Sequence, residues 1–129
     1  MRVLALDHGS ARCGCALSDP SGTIVTPIDP VLRPDTRAGI GRVSTLVAER
    51  EVELVVVGLP LSLDGSDSDQ TRAARAWAGR IAQAVAPVPV ELADERLTTA
   101  QARRAGGAAS EDSRAAAHLL EAWLLARGP

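Results

Sequence analysis

The 129-residue chain predicts an α/β fold. The expected architecture is a mixed five-stranded sheet, the first three strands antiparallel and the later ones parallel, with helices on both faces. Three observations carry this. Residues 2–7 and 13–18 are short apolar runs separated by a turn at Gly9 and Ser10, which reads as a hairpin. Two further strand-like stretches, at 53–57 and 88–92, alternate with stretches of helical period. The run at 53–57 is apolar without alternation, as in a strand covered on both faces.

The elements follow in order. The first strand (2–7) ends in a carboxylate, Asp7, and the second (13–18) resumes the apolar pattern. Asp19-Pro-Ser-Gly22 is a turn signal, and a third strand is expected at 23–26. Pro27, Pro30 and Pro34 are then expected to keep the chain out of regular structure. Asp35 or Thr36 can cap a helix carrying Ile40, Val43, Leu46 and Val47 on one stripe. The fourth strand (53–57) ends at Gly58-Leu-Pro60, and a polar loop spans 62–69. A helix over 69–85 places Ala74, Trp77, Ala78, Ile81 and Val85 on one face. The fifth strand (88–92) is flanked by Pro87 and Pro89, which suits a sheet edge. Residues 94–99 lead into a short helix stopped by Gly106-Gly107, and Ser110 caps a last helix reaching about 127.

Composition narrows the class. Fourteen basic and 16 acidic side chains give a net charge of -2, with 46% hydrophobic residues, as in one soluble globular domain. No apolar run approaches the ~18 residues of a membrane span, and Asp7 interrupts the apolar start as no signal peptide would. The expectation is a single domain over residues 1–129, cytoplasmic, with no membrane partner. All the basic residues are Arg; Lys, Phe, Tyr and Asn are absent and Ala occurs 23 times, which reads as high-GC codon bias. A faintly acidic balance is unusual for a nucleic-acid binder, so any such surface would be a local Arg-lined face. Cys13 and Cys15 are two apart on a strand and share a face, where they cannot easily bridge each other. They read as small core residues, an intermolecular disulfide being the exception. Trp77 and Trp123 both fall on packing stripes.

Three carboxylates stand out of place. Asp7 ends an apolar strand, and Glu95 follows the fifth. Asp112 lies in the first turn of the last helix, on the stripe of Ala116, Leu119, Leu120 and Trp123 that packs into the core. A lone buried charge costs several kcal/mol unless paired or metal-bound. Each has an ordinary reading: Asp7 capping the Gly9 turn, Asp112 satisfying its own helix N-terminus, Glu95 pairing with Arg96 or solvated. The expected topology nevertheless places the first strand's end beside the last helix's start. Converging oxygen ligands suit Mg2+ or Mn2+, and two such ions ~3.5–4 Å apart serve phosphodiester hydrolysis.

The residues carrying these carboxylates resemble a known family. Leu6-Asp-His-Gly-Ser-Ala-Arg-Cys-Gly-Cys-Ala-Leu-Ser-Asp19 is similar to the opening motif of the YqgF family, also called RuvX or Holliday-junction-resolvase-like. Val57-Gly-Leu-Pro-Leu-Ser-Leu-Asp-Gly-Ser66 resembles its second motif, Asp94-Glu-Arg-Leu-Thr-Thr99 its most distinctive one, and Asp112-Ser-Arg-Ala-Ala116 its last. The resemblance implies an RNase H-like fold and a metal-dependent nuclease with Asp7, Glu95 and Asp112 as catalytic carboxylates and ligands for Mg2+ or Mn2+. It implies substrate contacts at Arg12, Arg96, Thr98 and Thr99, and backbone passing close to something at the motif glycines Gly58 and Gly65, where a structural turn is at least as good a reading as phosphate contact. It implies maturation of the pre-16S rRNA end, or cleavage of branched DNA such as a Holliday junction. The segment between Glu95 and Asp112 departs from the family pattern, with Gly106-Gly-Ala-Ala109 where basic residues are usual.

Three function classes follow. The leading one is a nuclease acting on pre-16S rRNA, with junction resolution as its alternative; a resolvase makes two coordinated cuts and so needs a dimer, whereas processing leaves monomer or homodimer open. His8 is incidental in this reading, or assists a proton transfer beside Asp7. The second is a phosphate-binding ATPase of the actin and sugar-kinase type, which closes two such domains around a nucleotide. The third is a non-catalytic rRNA-binding assembly factor, which would hardly keep three carboxylates facing a polyanion.

Overall fold

A computed structural model describes residues 1–61, 64–95 and 111–127. Strands β1 (Val3–His8), β2 (Arg12–Ser18), β3 (Val25–Leu32), β4 (Leu54–Leu59) and β5 (Val90–Asp94) form one sheet in the order β3-β2-β1-β4-β5. β1 pairs antiparallel with β2 and β2 with β3, whereas β1, β4 and β5 run parallel. Helices α1 (Arg37–Glu49), α2 (Asp69–Val85) and α3 (Glu111–Arg127) cover the sheet.

Side-chain alternation along the central strands explains why they are apolar throughout. Leu4, Leu6, Val55 and Val57 pack with Val43 and Leu46 of α1 and with Trp77 and Ile81 of α2. Their neighbours Val3, Ala5, Leu54 and Val56 point the other way, against Ala116, Leu119 and Leu120 of α3. Cys13 and Cys15 are fully buried free thiols on the α1/α2 side. Burial removes the intermolecular disulfide from consideration. Trp77 is 1% exposed, and its Nε1 donates to the Pro34 carbonyl at 2.8 Å. Trp123 is half-buried against the α3-side core, with the Arg127 guanidinium 4.9 Å above its ring.

The third strand corrects the sequence reading. It runs from Val25 to Leu32 and contains Pro27 and Pro30, where the sequence predicts that regular structure stops. β3 is an edge strand, so a proline facing the open side removes no ladder bond. Cys13 lies opposite Val31 but Cys15 opposite Ile28, so one extra residue of β3 bulges out around Asp29 and Pro30. Ser113 of α3 fills the gap. Its hydroxyl accepts from the Cys15 N–H at 3.4 Å and donates to the Ile28 carbonyl at 2.6 Å. Ser113 is 1% exposed, so Ser113→Ala strands buried backbone groups and is expected to cost about 1–3 kcal/mol, read as a lowered urea midpoint.

Other boundaries moved slightly. Thr36 caps α1, its Oγ1 accepting from the Gly39 N–H at 3.0 Å. Ser68 caps α2 in a reciprocal box with Thr71. β5 is the opposite edge strand, as expected, but begins after both flanking prolines, and the Pro89 carbonyl accepts from the Val55 N–H at 3.0 Å. The short helix expected after residue 94 and the Ser110 cap lie outside the described residues, as do 62–63 of the polar loop. Among the described residues no helix is long and apolar enough to cross a membrane.

Candidate active site

Because β1, β4 and β5 are parallel, their carboxyl ends share one end of the sheet. That is where open α/β sheets place ligands. Asp7 follows Leu6, which pairs with Val57, so Asp7 stands beside Gly58. Gly58 pairs in turn with Ala93, and Glu95 comes two residues later, its N–H donating to the Leu59 carbonyl at 3.1 Å. Glu95 folds back across β4 towards Asp7.

Gly58 makes that path possible. A Cβ at this position would lie 2.7 Å from Cγ, Cδ and Oε1 of Glu95. The glycine sits inside a buried strand at no positive φ, so close approach explains it and a turn does not. Gly65 differs: its φ of 84° is a loop conformation that favours glycine.

The two carboxyls meet. Burial pushes the Glu95 carboxyl up to about 9, helped by a hydrogen bond to Asp7 and by the charges of Asp7 and Asp94. A protonated Glu95 therefore donates to the Asp7 carboxylate, the arrangement of two acids that cannot both ionise. Below about pH 4.5 the folded and unfolded chains both hold this proton. As pH rises from there to about 9 the unfolded chain releases it first, so stability of the cation-free protein falls through that window. Glu95→Gln is expected to flatten the decline, by on the order of a few kcal/mol near neutrality, as measured by urea unfolding with chelator across pH.

The last expected carboxylate belongs to the same sheet face. Alternation in β1 puts Asp7 with Val3 and Ala5 on the α3 side, and Ser113 docks the first turn of α3 on β2 beside it. Asp112 is in that first turn; its side chain, like the whole of Arg96, Thr98 and Thr99, falls outside the described residues. Arg12 is exposed at the start of β2, at this same end. Among the described residues no group of three or more potential metal ligands is assembled.

His8 is turned away from the carboxylates. One residue beyond Asp7, it faces the α1/α2 side, where its ring lies 4.8 Å from Trp77 and its Nε2 is 3.0 Å from Asp35 Oδ1. A proton-transfer role beside Asp7 is thereby removed. His8 instead ties the end of β1 to the segment that enters α1.

The RuvX family, described as Holliday junction resolvase, matches residues 1–126. The chain belongs to that family. A RuvX relative from Thermobifida fusca, named putative pre-16S rRNA nuclease, is 46% identical over 99 residues, covering 77% of this chain and 61% of its own. One of the same name from Rhodococcus erythropolis is 40% identical, covering 95% of this chain and 77% of its own. The chain thus spans less than two thirds of the length of the first relative. In structure, Thermus thermophilus RuvC in complex with a Holliday junction superposes with a TM-score of 0.67 at 17% identity, covering 98% of this chain and 96% of RuvC. The shared fold is RNase H-like, as the RuvX motifs imply.

Proposed function

We propose that this RuvX protein is a divalent-metal-dependent nuclease that hydrolyses phosphodiester bonds in pre-16S rRNA maturation, acting in the cytoplasm. The observation that carries the reading is the meeting of Asp7 and Glu95 across Gly58 at the carboxyl end of the parallel strands. Two acids sharing a proton form an oxygen donor set with surplus negative charge, which fits a hard cation such as Mg2+ or Mn2+. Asp7, Glu95 and Asp112 are the residues we assign to hold it. When bound, the ion supplies positive charge that acidifies an attacking water and stabilises the leaving oxygen.

The chain supplies placement. Asp7 is fixed by the central strand, paired on both sides. Glu95 is fixed by its backbone bond to Leu59 and by the groove over Gly58. Docking of α3 through Ser113 sets the backbone of Asp112 against β2. We assign Arg12 and Arg96 to backbone phosphates, and Thr98 and Thr99 to orienting a substrate oxygen or the Glu95 segment. The relatives' printed names support rRNA as substrate. With Trp77 in the core and no Tyr or Phe, the chain offers little stacking surface, and it should read shape and backbone rather than base identity.

The test is cleavage of a pre-16S rRNA fragment and of a four-way DNA junction with Mg2+ or Mn2+, against a chelator control. The proposal expects ion-dependent cutting of the RNA. Preference for the junction would reassign the substrate to branched DNA, and a dimer would then be required. RNA binding without cutting would overturn the nuclease assignment in favour of an assembly factor.

A further inference from the structure

The end of the sheet that carries Asp7 and Glu95 is acidic on β1 and β5 but basic beyond β1. Arg12 opens β2 there, paired in register with Leu32, the last residue of β3. Arg33 comes next, its N–H donating to the Ala11 carbonyl at 2.9 Å. Its φ is 47°, a left-handed conformation that an arginine rarely adopts. The surroundings hold it there. The Arg33 carbonyl accepts from the Thr36 hydroxyl at 2.7 Å and from the Thr36 N–H at 3.1 Å. Gly39 presses on the same carbonyl, where a Cβ would come within 2.3 Å. Backbone strain that the fold over-determines in this way points towards function.

Arg37 begins α1 immediately afterwards, and the first turn of that helix carries no acidic residue. The nearest acid, Asp35, is engaged with His8. Arg33 and Arg37 are both exposed, and neither forms an ion pair among the described residues. Arg72 and Arg75 on α2 differ, being matched to Asp69 and Asp67. β3 lies two strand spacings from β1, about 10 Å. A nucleic-acid strand advancing ~3.4 Å per residue covers that lateral distance in about three nucleotides, and it passes over the carboxyl end of the sheet, because α1 packs on the face opposite Asp7.

We propose that Arg33 and Arg37 continue from Arg12 as a track for the backbone phosphates of an RNA strand entering the Asp7–Glu95 site. This rests on the nuclease reading. Restraint of the Arg33–Thr36 turn means that little ordering is required on binding. Both residues are positioning groups that engage phosphates away from the reacting one.

The test is fluorescence anisotropy of a single-stranded pre-16S rRNA fragment, with a four-way DNA junction as a second arm, in chelator from 50 to 300 mM salt. For the RNA, the Arg33→Gln/Arg37→Gln double variant is expected to lower the slope of log affinity against log salt by about 1.4, from ~0.7 per lost phosphate contact. Affinity should fall on the order of 10-fold, and KM for cleavage should rise with kcat unchanged. Arg33→Lys/Arg37→Lys should restore the slope. Arg127→Ala, at the opposite end of the sheet, should leave it untouched. An unchanged slope and affinity in the double variant would overturn the track even if the wild type cleaves. A reduced slope in a protein that never cleaves would keep the track and overturn the nuclease reading instead. Loss of slope on the junction alone would contradict RNA as the strand it holds.

Discussion

Asp7→Asn is expected to reduce cleavage by at least about 10³-fold while making the cation-free protein more stable near neutral pH. Both effects come from one carboxylate. Loss of a charged ligand removes several kcal/mol of stabilisation from a charge-dependent transition state, and each 1.36 kcal/mol is tenfold in rate. In the absence of a cation, however, Asp7 is a liability. Burial, together with the hydrogen bond and charge of Asp7 and the charge of Asp94, holds the Glu95 carboxyl near 9. An asparagine amide can donate to a Glu95 carboxylate, so the acid ionises more readily and the folding penalty shrinks. Cleavage assays and urea unfolding in chelator, run on the same preparation, should therefore move in opposite directions. Parallel loss of activity and stability would mean that Asp7 is a structural residue.

Gly58→Ala is the second large effect. The added methyl would overlap three atoms of the Glu95 side chain at 2.7 Å, while the strand backbone at Gly58 has no unusual φ. Glu95 can swing out towards solvent, so the sheet survives and the carboxylate leaves Asp7. We expect activity to fall on the order of 10²-fold or more, since a misplacement of about 1 Å already costs that much. Stability in chelator should change little, because the steric cost is offset by separating two acids. An alanine variant that cleaves normally would show that Glu95 need not lie over β4.

These two positions also show what a sequence yields and what it does not. The buried parallel strands were legible because Leu54–Val57 and Val3–Leu6 are apolar at every position, which only two covered faces explain. Asp7 was legible as a charge ending such a strand. Gly58 was legible only as a place of close approach, and its neighbour was not, because the atoms it accommodates belong to a residue 37 positions later, just past the end of another strand. Pro27 and Pro30 mislead for a related reason: proline is compatible with a strand that has a free edge, and edges are a property of the assembled sheet. The side taken by His8 could have been deduced from alternation, since it must oppose Asp7 across β1. Ser113 carried no signal of its own, because its partners are backbone groups exposed by a bulge between two strands far away in sequence.

The central claim is that Asp7 and Glu95 form a proton-sharing pair poised for a cation. Its most direct test is a ¹³C NMR titration of the Glu95 carboxyl, in chelator and again with Mg2+. A midpoint near 9 is expected without the cation, a clear fall when Mg2+ is added, and a smaller fall without Mg2+ in Asp7→Asn, where burial still holds the carboxyl up. A midpoint near the ordinary 4.5 in all three conditions would contradict it, since the two carboxyls would then not meet.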